Sequence, residues 1–165
     1  MNITEQEVPK GILDSIKGCA DDALNILGSA FANADPPTIV AAVDDFVYRW
    51  QKGERPPADV VEDGEQARLL FGSLWGEQIV KQFGWQWAKV TFHDYGDATA
   101  FGVFSPDRSL AIYPLDFMLG CIRDSNVDVT AMLSFEMLRA GQVPKMNKKS
   151  YINVMDGVRR IVPRE

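Results

Sequence analysis

Histidine occurs once in this chain and cysteine twice, and these two scarcities exclude more chemistry than any motif present suggests. With His93 alone, a metal site needing two or three imidazoles is ruled out, and Cys19 and Cys121 lack the paired spacing of a zinc ligand set. The chain also lacks a nucleophile elbow, a Walker loop and a Rossmann glycine fingerprint. No metal, no cofactor and no catalytic residue is therefore assigned. A triad would have to use His93 at a strand end, where Asp94 beside it points to the opposite face, so an exposed strand-end histidine is expected. Long apolar runs are missing too: nothing approaches the roughly 20 residues of a membrane span. The first residues, MNITEQEVPKG, have neither the positive start nor the apolar run of a secretory signal, which predicts a soluble, cytoplasmic protein without a membrane. Each cysteine has apolar neighbours, so two buried thiols are expected in place of a disulfide.

What remains is ordinary globular material, with hydrophobic residues at 46% and charged residues at 24%, enough to argue against wholesale disorder. A chain of 165 residues suits one domain with a single core. Its charge is unevenly divided. Residues 1–141 hold 11 Lys and Arg against 21 Asp and Glu, while residues 142–165 hold 6 against 2. An acidic body repels phosphate backbones and attracts basic proteins, so nucleic acid is an unpromising partner except through the tail. Lys145, Lys148, Lys149, Arg159, Arg160 and Arg164 in that tail are most simply neutralised by the body itself.

Apolar residues from Ile12 to Phe31 recur with helical spacing and predict a helix over 11–32. Asp35 before Pro36 and Pro37 predicts a capped second helix reaching Gly53, and Pro56 and Pro57 a loop over 53–59. A third helix is expected from Glu62 to Gly84, its first turn made acidic by Glu62, Asp63 and Glu65 as the helix dipole favours. Residues 85–94, 98–104 and 109–113 read as three strands on short turns, hence an antiparallel meander. Pro114 starts a further helix, Asp128 caps another that Gly141 closes, and Tyr151 to Ile161 suits a short docking helix. The fold class is α+β: a small antiparallel three-stranded meander covered on one face by five to six helices. It forms a single domain over 1–165, with N-terminal helices at 11–53, a helix-plus-meander core at 61–125, a C-terminal helix at 128–141 and a basic tail at 142–165.

Three of the four tryptophans fall between residues 72 and 90, in GSLWGEQIVKQFGWQWAKV. Gly72 and Gly76, one helical turn apart, let another backbone come close, and the expected neighbour is the sheet, with Trp85 and Trp87 packing from one strand face. The small-Trp-Gly-Glu helix, the Gly-Trp-x-Trp strand and the strand ending in Tyr113-Pro114 resemble a bacterial family, domain of unknown function 3806, over about residues 65–125. That resemblance implies no activity. In size and charge the chain is also similar to small acidic immunity proteins of bacterial toxin systems.

Two functional classes remain. In one, the protein is a non-catalytic protein-binding module, an inhibitor or immunity-type protein whose partner has a basic surface, such as a toxin or effector. The positions then expected at the interface are Asp44 and Asp45 on the second helix, Glu62, Asp63 and Glu65 at the start of the third, and Asp94 and Asp97 at the hairpin. In the other, a small enzyme uses Glu77, or Asp94 and Asp97, in a pocket beside Trp85 and Trp87. The plainer expectation for Glu77 is an ion pair with Lys81 or a hydrogen bond to a loop backbone. Asp94, Asp97 and Asp107 also suit ordinary turns.

Overall fold

Asp35 and Asp63 each begin a helix. In the computed structural model, which describes residues 2–164, the Asp35 carboxylate accepts the Thr38 amide at 3.1 Å ahead of α2 (Pro36–Gln51). Asp63 likewise accepts the Gln66 amide at 2.9 Å ahead of α3 (Gly64–Phe83). Each carboxylate satisfies a donor that the first helical turn leaves open. Gly84 closes α3 with φ 71°, a left-handed geometry that glycine adopts without a Cβ penalty. The preceding helix, α1 (Lys10–Leu27), is shorter than its apolar rhythm predicts. Gly28 turns to φ 116° and Ser29–Phe31 tighten into a 3-10 turn.

The expected meander is present as β2 (Gln86–Phe92), β3 (Ala98–Phe104) and β4 (Leu110–Ile112), all antiparallel. It is not the whole sheet. A strand ahead of α1, β1 (Ile3–Gln6), adds antiparallel to β2, and β5 (Ile152–Asn153) adds parallel to β4. The result is a mixed five-stranded sheet in chain order, which corrects the three-stranded antiparallel expectation. Strands of four and two residues carry no alternation to read; they form because the edges of the meander offer unpaired backbone groups. Two helices, α4 (Pro114–Arg123) and α5 (Ala131–Arg139), complete an α+β architecture with five α-helices among the described residues.

Two further expectations fail beyond β4. Thr130, not Asp128, stands immediately before α5, and it makes no side-chain cap. The docking helix expected over 151–161 is replaced by β5 and a 3-10 turn, Val154–Gly157, in which Asn153 accepts the Met155 amide at 3.0 Å.

Strand alternation splits the sheet into two unlike faces. Trp87, Val103 and Ile112 face the helices, where they join fully buried Phe71, Leu74, Trp75 and Ile79 of α3. A Cβ on Gly76 would overlap the indole of Trp87, so this glycine is what lets the ring lie against the helix backbone. Gly72 has a different neighbour: its missing Cβ makes room for Pro114 and Leu115 at the start of α4. The glycine stripe thus meets the sheet at one position and a helix at the other. Both cysteines are free thiols, Cys121 buried and Cys19 only partly so.

Ala88, Val90, Phe104 and Ala111 form a second buried cluster on the opposite face, to which the strands and Tyr151 contribute but no helical residue. Aromatic rings close it. Phe104 meets Tyr113 and Tyr151 edge-on at centroid distances of 5.8 and 5.6 Å, and Tyr113 lies 6.0 Å from Phe92. Gly102 underlies this arrangement, since a Cβ there would crowd the rings of Phe104 and Tyr113. Covering Phe104 in this way contributes roughly 1.5–3 kcal/mol.

Candidate functional site

The seven acidic residues expected at an interface turn out to be largely engaged nearby. Asp44 is the clearest correction, because it is 3% exposed instead of solvated. Its carboxylate accepts the Met132 amide at 2.9 Å, forms an ion pair with Arg164 and lies 3.9 Å from Arg160. The physical reason was present in the sequence: Asp44 follows Val40 by four positions and precedes Val47 by three, which puts it on the buried stripe of α2. Asp45 faces outward and pairs with Arg49 at 2.9 Å. Asp63 is occupied as the cap of α3. Glu65 binds Arg68 at 2.8 Å, and that hydrogen bond holds its carboxyl below the ordinary glutamate value. Asp94 accepts the Asn2 amide at 2.8 Å, and Asp97 contacts Nδ1 of His93 at 2.7 Å. Only Glu62 is exposed with no side-chain partner among the described residues. No hydrogen bond or ion pair links α2, the start of α3 and the hairpin through these acids.

His93 is exposed at the end of β2, as expected, and its carboxylate partner is Asp97, four residues on across the turn, in place of adjacent Asp94. Its Nε2 contacts the Thr4 hydroxyl at 2.6 Å. The row hydroxyl, imidazole, carboxylate has the order of a nucleophilic triad. It lies outside the hollows described below, and it fastens β1 to the hairpin.

Glu77 does not pair with Lys81. Burial pushes its carboxyl above the ordinary value, Lys17 opposing and Asp21 adding to the shift, and its Oε1 is sealed from solvent without a hydrogen-bond partner. Hollows of about 340 and 460 Å³ flank it, and Trp85, Trp87 and Glu5 help to line the larger. Glu5 is perturbed in the other direction. Arg108 donates to both its oxygens, at 2.7 and 3.1 Å, and Tyr151 adds a hydrogen bond at 3.0 Å, so the carboxyl stays below its usual range.

Larger hollows lie where the aromatic-covered face of the sheet meets α4, α5 and the tail. One, of about 750 Å³, is predominantly apolar, with Leu110, Met137, Val143, Met146 and Ile152 in its walls. The other, of about 730 Å³, holds Asp116, Asp128 and Asp156 together with Arg159. Both are lined by Phe92, Tyr113, Asn153, Asp156 and Val158, so they form one groove with an apolar and an acidic half. Asp116, Asp128 and Asp156 are all exposed, and their carboxylates have no hydrogen bond or ion pair among the described residues. Arg159 is held at 3.3 and 2.8 Å by the carbonyls of Met155 and Val158. At the junction, the Tyr113 hydroxyl is buried without a partner, and burial, with the nearby Tyr151, Asp116 and Asp156, pushes its pKa to about 12.

These three aspartates were invisible as a group in the sequence, being 12 and 28 positions apart along the chain. The available signal was negative: Asp116 follows Pro114 inside a helix and Asp128 precedes one, and neither turned out to be needed as a cap. Comparison of the chain with known protein families, with curated proteins and with solved structures finds no match in any of the three. No helix among the described residues is long and apolar enough to cross a membrane.

Proposed function

We propose that the protein is a non-catalytic binding module for a protein with a basic surface, an inhibitor or immunity-type protein that neutralises a bacterial toxin or effector in the cytoplasm. The observation that carries this reading is the convergence of three carboxylates on one concave site. Asp116, Asp128 and Asp156, without side-chain partners among the described residues, gather around one hollow that adjoins an apolar one. Charges left uncommitted at a concave, partly apolar surface give a cationic partner both attraction and orientation. Kinship with the domain of unknown function 3806 family belongs to this proposal, supported by the contact between Gly76 and Trp87 that joins two of its motifs.

The test is association with a toxin or effector encoded beside this protein. The Asp116→Lys/Asp156→Lys variant should lose both binding and inhibition of that partner, while Asp45→Lys retains them. Equal binding by all three proteins removes the groove from the interface, and no binding by any removes the reading.

A second reading has its own support. Glu77, pushed up, and Glu5, held down, line one hollow with Trp85 and Trp87, and carboxyls displaced in opposite directions suit general acid and base roles. Against it, Glu5 is already bound by Arg108 and Tyr151. Hydrolysis of chromogenic glycosides or esters that disappears in Glu77→Gln is the result this reading requires.

A further inference from the structure

The two halves of the groove specify more than a charge. The apolar half has the volume of a site for a large side chain, and its wall includes Met137 and Met146, whose unbranched chains adapt to different shapes. Beside it, three carboxylates stand without a bound cation of the protein's own. Their one basic neighbour, Arg159, has its guanidinium turned to backbone carbonyls. Between the halves stands Tyr113, which lines both hollows and keeps its hydroxyl sealed from solvent. The tail wall is also strained. Tyr151 lines the apolar half with φ 48°, a left-handed conformation unfavourable for an aromatic residue, and Lys149 nearby has φ 59°.

We propose that the groove receives a protruding segment of the partner in which a bulky apolar side chain adjoins an arginine: the apolar group fills the half bounded by Met137 and Met146, and the guanidinium enters among Asp116, Asp128 and Asp156. This rests on the binding-module reading and deepens it. Arginine fits better than lysine because its planar fork has five donors to divide among several carboxylates. The segment needs no secondary structure of its own, since the hollows share a wall and adjacent side chains of an extended chain diverge to opposite sides.

The experiment is a titration of the full-length ¹⁵N-labelled protein with short capped Gly/Ser peptides carrying Trp-Arg, Trp-Ser, Gly-Arg or Trp-Asp at the centre. Trp-Arg should shift the amides of Tyr113, Asn153 and Asp156, and bind about fivefold or more tighter than Trp-Ser, the effect of one exposed charge pair of about 1 kcal/mol. Trp-Asp should be weakest. In Asp116→Asn/Asp156→Asn, both exposed positions, the gap between Trp-Arg and Trp-Ser should close while Trp-Ser binding is kept. Equal affinity for Trp-Arg and Trp-Asp overturns the proposal, as do shifts confined to other surfaces. If no peptide binds but the neighbouring-gene toxin still docks in a manner abolished by Asp116→Lys/Asp156→Lys, this inference fails and the binding-module reading stands. If that protein fails to dock as well, both fall.

Discussion

The two faces of the sheet solve the same problem differently. On the helix side, Trp87 is pressed against Gly76, and the surrounding side chains leave no room for a single added carbon. On the other side, Phe104, Tyr113 and Tyr151 shelter Ala88, Val90 and Ala111 with their own rings, and hollows remain around them. A face closed by helix backbone is tightly filled where Trp87 meets Gly76, and its hollows, beside Glu77, are the smaller ones. A face closed by aromatic side chains stays concave, and there Asp116, Asp128 and Asp156 gather beside the buried Tyr113 hydroxyl. The difference teaches where to look in a fold whose motifs announce no chemistry: away from the best-packed tryptophans.

Substitutions on the two faces sharpen or break this contrast. The largest expected effect is Trp75→Ala, at a fully buried indole on the helix side, which should cost about 3–5 kcal/mol in chemical denaturation. A loss below about 1 kcal/mol would show that the helix-side core is not tightly filled. Next is a pair of opposite sign. Gly76→Ala should destabilise by about 2 kcal/mol through overlap with Trp87. Gly120→Ala, in open space within α4, should instead stabilise by up to about 1 kcal/mol. Smaller still is Tyr113→Phe, which removes a buried hydroxyl without a partner and should leave the unfolding free energy unchanged or raise it by about 1 kcal/mol at most. A clear loss would mean that the hydroxyl already has a bound water or other partner.

The smallest effects are pH slopes, and they too should differ between the two regions. Glu77 has a folded-state pKa above its unfolded value, so folding favours the protonated acid. That stability is complete below the unfolded value and is lost as pH rises through the folded one. Glu77→Gln should therefore raise stability at neutral pH and leave it unchanged in acid. Glu5, held down by Arg108, contributes stability above its unfolded value that disappears as pH falls through the folded one. Glu5→Gln should accordingly lower stability at neutral pH and flatten the acid limb. Stability curves for the two variants that run parallel would refute the opposed shifts.

Local patterns made much of this legible in the sequence. Asp35 and Gly84 marked helix ends because a cap is a contact between near neighbours, and β2 to β4 were visible because their turns are short. β1 and β5 were hidden because their pairing is tertiary: Ile3 finds Phe92, and Ile152 finds Leu110, with no repeating pattern in either strand. The candidate site was almost entirely hidden for the same reason. Asp44 looked like half of an exposed acidic pair until its place between Val40 and Val47 is read as part of a stripe, and its partner Arg164 lies 120 residues away. Asp116, Asp128 and Asp156 have no signature at all, because an uncommitted carboxylate is recognised only once the bonds of every other group are known.

The ion pair of Arg164 with Asp44 also sets an order of events during synthesis. Val143, Met146 and the stretch from Ser150 to Val158 supply a whole wall of the groove, and Arg160 and Arg164 anchor the adjoining segment to α2. All are translated after everything they pack against. A nascent chain paused before residue 143 can pair β2 with β3 and seat Trp87 on Gly76, yet Asp44 then has only the Met132 amide and the groove is open along one side. Premature termination or clipping in this stretch takes Val154, Met155 and Val158 out of the core and leaves the Asp44 carboxylate buried without its guanidinium, so the body left behind is the less stable for it.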